Sequence, residues 1–124
     1  MDMNDFYFKI RNNFPEIAEA ADADFVRKFD ELDHEMNSLW FESLANSINS
    51  DMNNGISPQK YKTLFEFMRK SYLSESDEIK NCIDSSFIEN LFWQVSKEKA
   101  SAYWKALPDN LKELYVSFHS KQSA

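Results

Sequence analysis

From Asp24 onward, apolar residues recur at helical spacing. Phe25, Phe29, Leu32, Met36 and Leu39 fall 4, 3, 4 and 3 residues apart, and Trp40, Leu44, Ile48 and Met52 continue at four. Such spacing lines up one apolar stripe along an α-helix. An unbroken helix over 24–51 would be about 42 Å long, whereas a compact chain of this size has a radius of gyration of about 14 Å. The pattern therefore predicts a break or kink near Asn37–Ser38, where Ser38 can cap a new helix. Upstream, Phe6, Ile10 and Phe14 recur at four, which predicts a short helix ending near Pro15. Pro15 suits the first position of a second, very short helix reaching about Ala21.

Asp51–Ser57 (DMNNGIS) is the clear turn cluster, and Ser57–Pro58 reads as an N-cap followed by the first residue of a helix. Tyr61, Leu64, Phe65, Met68 and Tyr72 mark the buried face of that helix. Ser74–Ser76 interrupts it, and Ser76 with Asp77 and Glu78 makes a capped start for the next, where Ile79, Ile83, Phe87 and Leu91 repeat at four. Residues 92–99 read as an irregular connection, 99–106 as a helix, and Leu107–Pro108–Asp109 as the start of a last helix with Leu111, Leu114, Tyr115 and Phe118 inward. No strand pattern and no internal repeat is present. The expected fold is all-α: one domain over residues 1–124, a compact bundle of five to seven short helices.

Composition supports this expectation. Hydrophobic residues make up 43% of the chain and aromatics 15%, ample for a core and unlike a disordered acidic tail. One glycine and three prolines among 124 residues are too few for the turns of an all-β protein. No apolar run approaches the ~18–20 residues of a membrane span. A single cysteine and an acidic, polar start lead us to expect a cytoplasmic protein. The charge is one-sided. Residues 1–51 hold twelve acids against four bases, a net of −8, whereas 52–124 hold nine against ten, a net of +1. A field of this kind attracts basic surfaces and repels nucleic acid and anionic membranes.

Little in the sequence suggests catalysis. Glu31 and His34 have the Glu-x-x-His spacing of metal ligands on one helical face, but a di-metal bundle needs a second such pair, and the other histidine, His119, follows Val116 at that spacing. A solvated charged face explains Glu31 and His34 better. Cys82 sits between Ile79 and Ile83 in an apolar pattern and reads as a small buried hydrophobe rather than a nucleophile. Glu89 and Asn90 read either as a polar pair on a functional surface or, the preferred reading, as groups that satisfy backbone at a helix end. The pairs Trp40–Phe41, Phe92–Trp93 and Tyr103–Trp104 cannot all point inward from one helical face. They either feed a core from two sides of central helices or place aromatic anchors at an interface. No glycine-rich phosphate loop and no basic, aromatic-studded surface is present. The expectation is a non-enzymatic protein with no cofactor and no metal.

Several signatures line up in order: Phe14-Pro15-Glu16-Ile17, then Leu64-Phe65-Glu66-Phe67 and Tyr72-Leu73, then the dense block from Asp77 to Leu91 containing Asn81-Cys82-Ile83-Asp84-Ser85-Ser86-Phe87-Ile88-Glu89-Asn90-Leu91, and finally Leu107-Pro108-Asp109-Asn110-Leu111-Lys112 with Tyr115. In these the chain resembles a family of small all-helical bacterial proteins, a domain of unknown function. The resemblance implies a role as an immunity protein beside toxin genes, including those of contact-dependent growth inhibition. Segment 20–57 resembles the family least and is the most acidic, so it is where partner specificity is expected. The implied partner is a basic protein, a toxin nuclease domain whose phosphate-holding cleft the acids would match. The expected partner-binding residues are Asp22, Asp24, Asp30, Glu31, Asp33 and Glu35, with Trp40 or Phe41 as aromatic anchor. The alternative is a helical module that homo-oligomerises, for example as a homodimer, or regulates another protein.

Overall fold

A computed structural model describes residues 1–123, with side chains through His119. Seven α-helices, and no strand among the described residues, make the all-α fold that the apolar spacing predicts. Helix α1 spans Met3–Asn13 and opens on a capping box, in which Asp2 accepts from the Asp5 N–H while Asp5 accepts from the Asp2 N–H. Helix α2, Pro15–Phe29, takes Pro15 at its first position. It does not stop near Ala21 as expected, because Ala18, Ala20, Ala21 and Ala23 are strong helix formers and nothing between Pro15 and Phe29 breaks the turn. Helix α3, Asn37–Asn53, ends at a turn in which Gly55 supplies φ 75°. Ser57 caps a 3-10 turn, Pro58–Tyr61, that leads into α4, Lys62–Ser74. Ser76 caps α5, Asp77–Asn81. Ser96 caps α6, Lys97–Ala106, and α7 runs from Asp109 to Ser123.

The predicted break is real but displaced. It lies at residues 30–36 rather than at Asn37–Ser38, and α3 begins without a side-chain cap from Ser38. The cause is Asp30, which adopts φ 71° and donates its N–H to the Val26 carbonyl at 2.8 Å, closing α2 much as a glycine does.

Helix α3 is the central element, packed against α1, α2, α6 and the segment after α5. It therefore buries residues on several faces, Trp40 and Phe41 among them. Phe41 stacks on Phe6 at 5.3 Å between ring centroids, and Trp40 meets Tyr7 edge-on at 5.1 Å. The segment after α5 is the least regular. It widens into a π-helical stretch, Cys82–Phe87, tightens to a 3-10 turn, Ile88–Asn90, and then reverses. Along this stretch of changing pitch the adjacent pairs Cys82–Ile83 and Phe87–Ile88 are both buried. The reversal places Phe92 at φ 71° and Gln94 at φ 55°, a left-handed backbone that costs about 1–2 kcal/mol per non-glycine residue.

Asn49, reaching out from α3, holds this reversal. Its Nδ2 donates to the Asn90 carbonyl at 2.9 Å, and its Oδ1 accepts from the Phe92 N–H at 2.7 Å. Asn90 in turn donates to the Ser86 carbonyl at 2.9 Å, the backbone-satisfying role preferred for it above. Burial pushes the Cys82 thiol up to about 12, so it stays protonated near neutral pH and packs as a hydrophobe.

Candidate partner-binding surface

The interruption between α2 and α3 forms a loop rich in exposed carboxylates. After Asp30 turns the chain, Asp33 accepts the Glu35 N–H at 2.9 Å and starts a 3-10 turn, His34–Met36, that feeds α3. Asp30, Glu31, Asp33 and Glu35 are all exposed, and none of them takes part in an ion pair among the described residues. The positive end of the α3 dipole lies behind this loop and offsets part of the mutual repulsion.

Two side-chain contacts moor the loop to α1. Asn37 donates to Asn4 at 2.7 Å, and the Tyr7 hydroxyl lies 2.7 Å from His34 Nδ1. Arg11 can only donate, and it does so to the Tyr7 oxygen at 3.4 Å. Burial raises the Tyr7 phenol pKa, so the phenol keeps its proton. Tyr7→Phe is expected to lower stability by about 1 kcal/mol and to speed amide exchange in residues 30–36, as read by hydrogen exchange. Unchanged exchange there would show that Asn37 alone fixes the loop.

Aromatic rings flank the acids. Phe8 packs on the His34 ring at 5.2 Å between centroids and is 39% exposed, and Phe29, directly before Asp30, is also 39% exposed. Between the start of α1 and the loop lies an open groove of about 470 Å³, floored by Phe8 and His34 and edged by the carboxylates of Asp2, Glu35 and Glu78.

The expected site residues divide in two. Asp30, Glu31, Asp33 and Glu35 share the exposed loop. Asp22 and Asp24 do not belong with them. The Asp22 carboxylate takes both guanidinium nitrogens of Arg11, at 2.5 and 2.8 Å, and the Trp40 indole N–H at 2.8 Å. Asp24 is 7% exposed and pairs with Arg27 at 3.0 Å and Lys28 at 3.2 Å. Both carboxylates face cations of their own chain and leave little charge for a partner. Trp40 (1% exposed) and Phe41 lie in the core, so neither is an interface anchor. Glu31 lies in the turn rather than on a helix, which removes the helical spacing that paired it with His34.

The block from Asp77 to Leu91 coincides with the π-helical segment and its two flanks. A family model described as a domain of unknown function (DUF7674) matches residues 7–121. The chain belongs to that family. The DUF7674 match takes in the acidic loop, Asn49 and the reversal at 91–95, while its description names no activity or partner. Comparison with curated proteins and with solved structures finds no match. Among the described residues of this DUF7674 protein, no helix is long and apolar enough to cross a membrane.

Sequence reasoning did not find Phe8 and Phe29 as the exposed rings, nor Asn49 as the buried bracket. Phe29 sits within the apolar stripe and looks like core from spacing alone. Asn49 is one of many polar residues on α3, so nothing in the sequence singled it out.

Proposed function

We propose that this protein is a binding module that neutralises a basic protein partner. In the reading favoured here it is an immunity protein, and the partner is a toxin nuclease domain. The observation that carries the reading is the rigidly moored loop of four exposed carboxylates, Asp30, Glu31, Asp33 and Glu35, set between the exposed rings of Phe8 and Phe29. Carboxylates arranged this way match lysines and arginines that would otherwise hold phosphates, and they steer a basic partner during encounter. Phe8 and Phe29 supply the apolar contact that charge alone does not, since interfaces take most of their affinity from a few desolvated aromatic or arginine anchors.

The test is the association rate with a candidate toxin nuclease domain from the gene neighbourhood, measured across ionic strength. Changing Asp30, Glu31 and Asp33 together to lysine is expected to slow association about ten- to hundredfold at low salt and to flatten its salt dependence. Unchanged kinetics would remove this loop from the interface.

A further inference from the structure

The groove of about 470 Å³ between the start of α1 and the acidic loop gathers carboxylates from three elements. Asp2 stands before α1, Glu35 lies in the 3-10 turn ahead of α3, and Glu78 lies in the first turn of α5. Glu35 and Glu78 take part in no ion pair among the described residues, and Asp2 commits one oxygen to the Asp5 N–H. No lysine or arginine lines the groove. The cations near it in sequence are engaged or face elsewhere. The Met1 amino group pairs with Glu75 at 3.4 Å, and Lys9 lies over the Phe67 ring at 5.8 Å. Lys80 stands two positions past Glu78 on α5, a spacing at which helical side chains do not share a face.

The floor of the groove is aromatic. The rings of Phe8 and His34 lie 5.2 Å apart between centroids, tilted 58° to each other, and both residues are exposed. The Tyr7 hydroxyl, 2.7 Å from His34 Nδ1, fixes the imidazole. An occupant therefore meets rings already in place and loses little by ordering them.

Chemistry narrows the occupant. Unpaired carboxylates call for positive charge, and an exposed ring adds attraction for a cation over its face. No three acids, histidines or cysteines among the described residues are placed to hold a metal ion, so these carboxylates are spaced for something larger than a bare ion. A guanidinium meets the requirement: it is planar, lies flat on a ring, and turns donors toward carboxylates on more than one side. An ammonium has no plane to stack. The volume is at the low end for a small-ligand site, which suits one side chain rather than a helix or strand.

We propose that this groove seats one arginine side chain of the basic partner, its guanidinium over Phe8 and against Glu35 and Glu78. The proposal rests on the reading that the protein binds a basic partner, and it names the contact: the partner supplies the anchor, which enters beside the loop. It also brings Glu78, from the block Asp77–Leu91, into the interface.

An NMR titration of the full chain with N-acetyl-arginine amide, at constant ionic strength, tests this with no toxin present. Saturable shifts are expected at residues 2–4, 34–37 and 77–79, with a dissociation constant of about 1–10 mM. The lysine counterpart should bind at least about threefold more weakly, and the uncharged citrulline counterpart should not saturate. Glu78→Gln and Phe8→Ala each replace an exposed side chain, and each should weaken arginine binding at least about threefold. Glu113→Gln, an exposed acid on α7, should leave it unchanged. Shifts that do not saturate, equal binding of arginine and citrulline, or binding that both groove variants leave intact would overturn the seat. If toxin neutralisation is observed in that case, it stands and only the seat falls. Arginine binding here without any neutralisation keeps the seat and removes the toxin as the partner.

Discussion

Asn49→Ala is expected to lower unfolding free energy by about 3 kcal/mol, because it strands one backbone group and weakens the bonding of another. The Phe92 N–H loses its acceptor, at a cost of about 1–3 kcal/mol for a buried orphan, and the Asn90 carbonyl keeps only the longer bond from the Trp93 N–H at 3.4 Å, at a cost of about 0.5–1.5 kcal/mol. Asn49 is 5% exposed, so water does not readily replace the side chain. Urea denaturation reads the change as a midpoint shift of about 1–3 M, given the usual slopes for a chain of this size. Hydrogen exchange should localise the loosening to residues 90–95. A loss below about 1 kcal/mol would show that Phe92 packing against Trp104 and Tyr115 holds the reversal without the bracket.

The same region shows where sequence stops informing structure. Pro15, Ser57–Pro58, Ser76 and Leu107–Pro108–Asp109 place helix starts correctly because capping chemistry is local: a hydroxyl or carboxylate satisfies an N–H two or three residues on, and proline fixes φ. Asp30, Phe92 and Gln94 adopt positive φ without any glycine to announce it. The break before α3 was therefore expected some residues too late. The π-helical stretch after α5 left no trace in a pattern that repeats at four, since the extra residue per turn is chosen by what it lets the chain bury. For Trp40 and Phe41 the sequence left two readings open, a core fed from two sides of a central helix or an aromatic anchor at an interface. Packing α3 on several sides places both inside.

Asp22→Ala is expected to cost about 2–4 kcal/mol. It removes the acceptor of the Trp40 indole N–H and the counter-charge of Arg11 in a single step. Arg11 lies over the rings of Tyr7 and Trp40, 5.4 and 5.8 Å from their centroids, and its pKa is raised mainly by its bonds to Asp22. The pair is about one-fifth exposed, so solvent screening keeps the cost below that of a fully buried pair. Asp22→Asn retains an oxygen for Trp40 but gives up the charge and the second acceptor for Arg11, so a loss smaller than that of alanine is expected. Thermal or urea unfolding of the two variants measures both values. Asp22→Asn should leave the association rate with a basic partner unchanged, while charge reversal at Asp30 should slow it. Stability and binding would then separate cleanly between two aspartates eight residues apart.

That separation was partly legible. Asp24 stands three and four residues before Arg27 and Lys28, the spacing at which charges pair on a helix. Its neutralisation followed from sequence had the spacing been weighed. Asp22 meets Arg11 across the α1–α2 turn and Trp40 across the break, and both contacts are tertiary. The acidic loop itself was visible as a run of carboxylates, but its rigidity was not, because Tyr7 and Asn4 act on it from α1.

The most direct test of the proposed neutralisation is growth of cells that co-express this protein with a candidate toxin nuclease domain taken from its gene neighbourhood. Wild-type protein is expected to restore growth and to co-purify with the toxin in a complex that weakens as salt rises, while the triple lysine change at Asp30, Glu31 and Asp33 should restore little or none. Absence of both rescue and complex with the wild-type chain, or full rescue by the triple variant, would contradict neutralisation through the acidic loop.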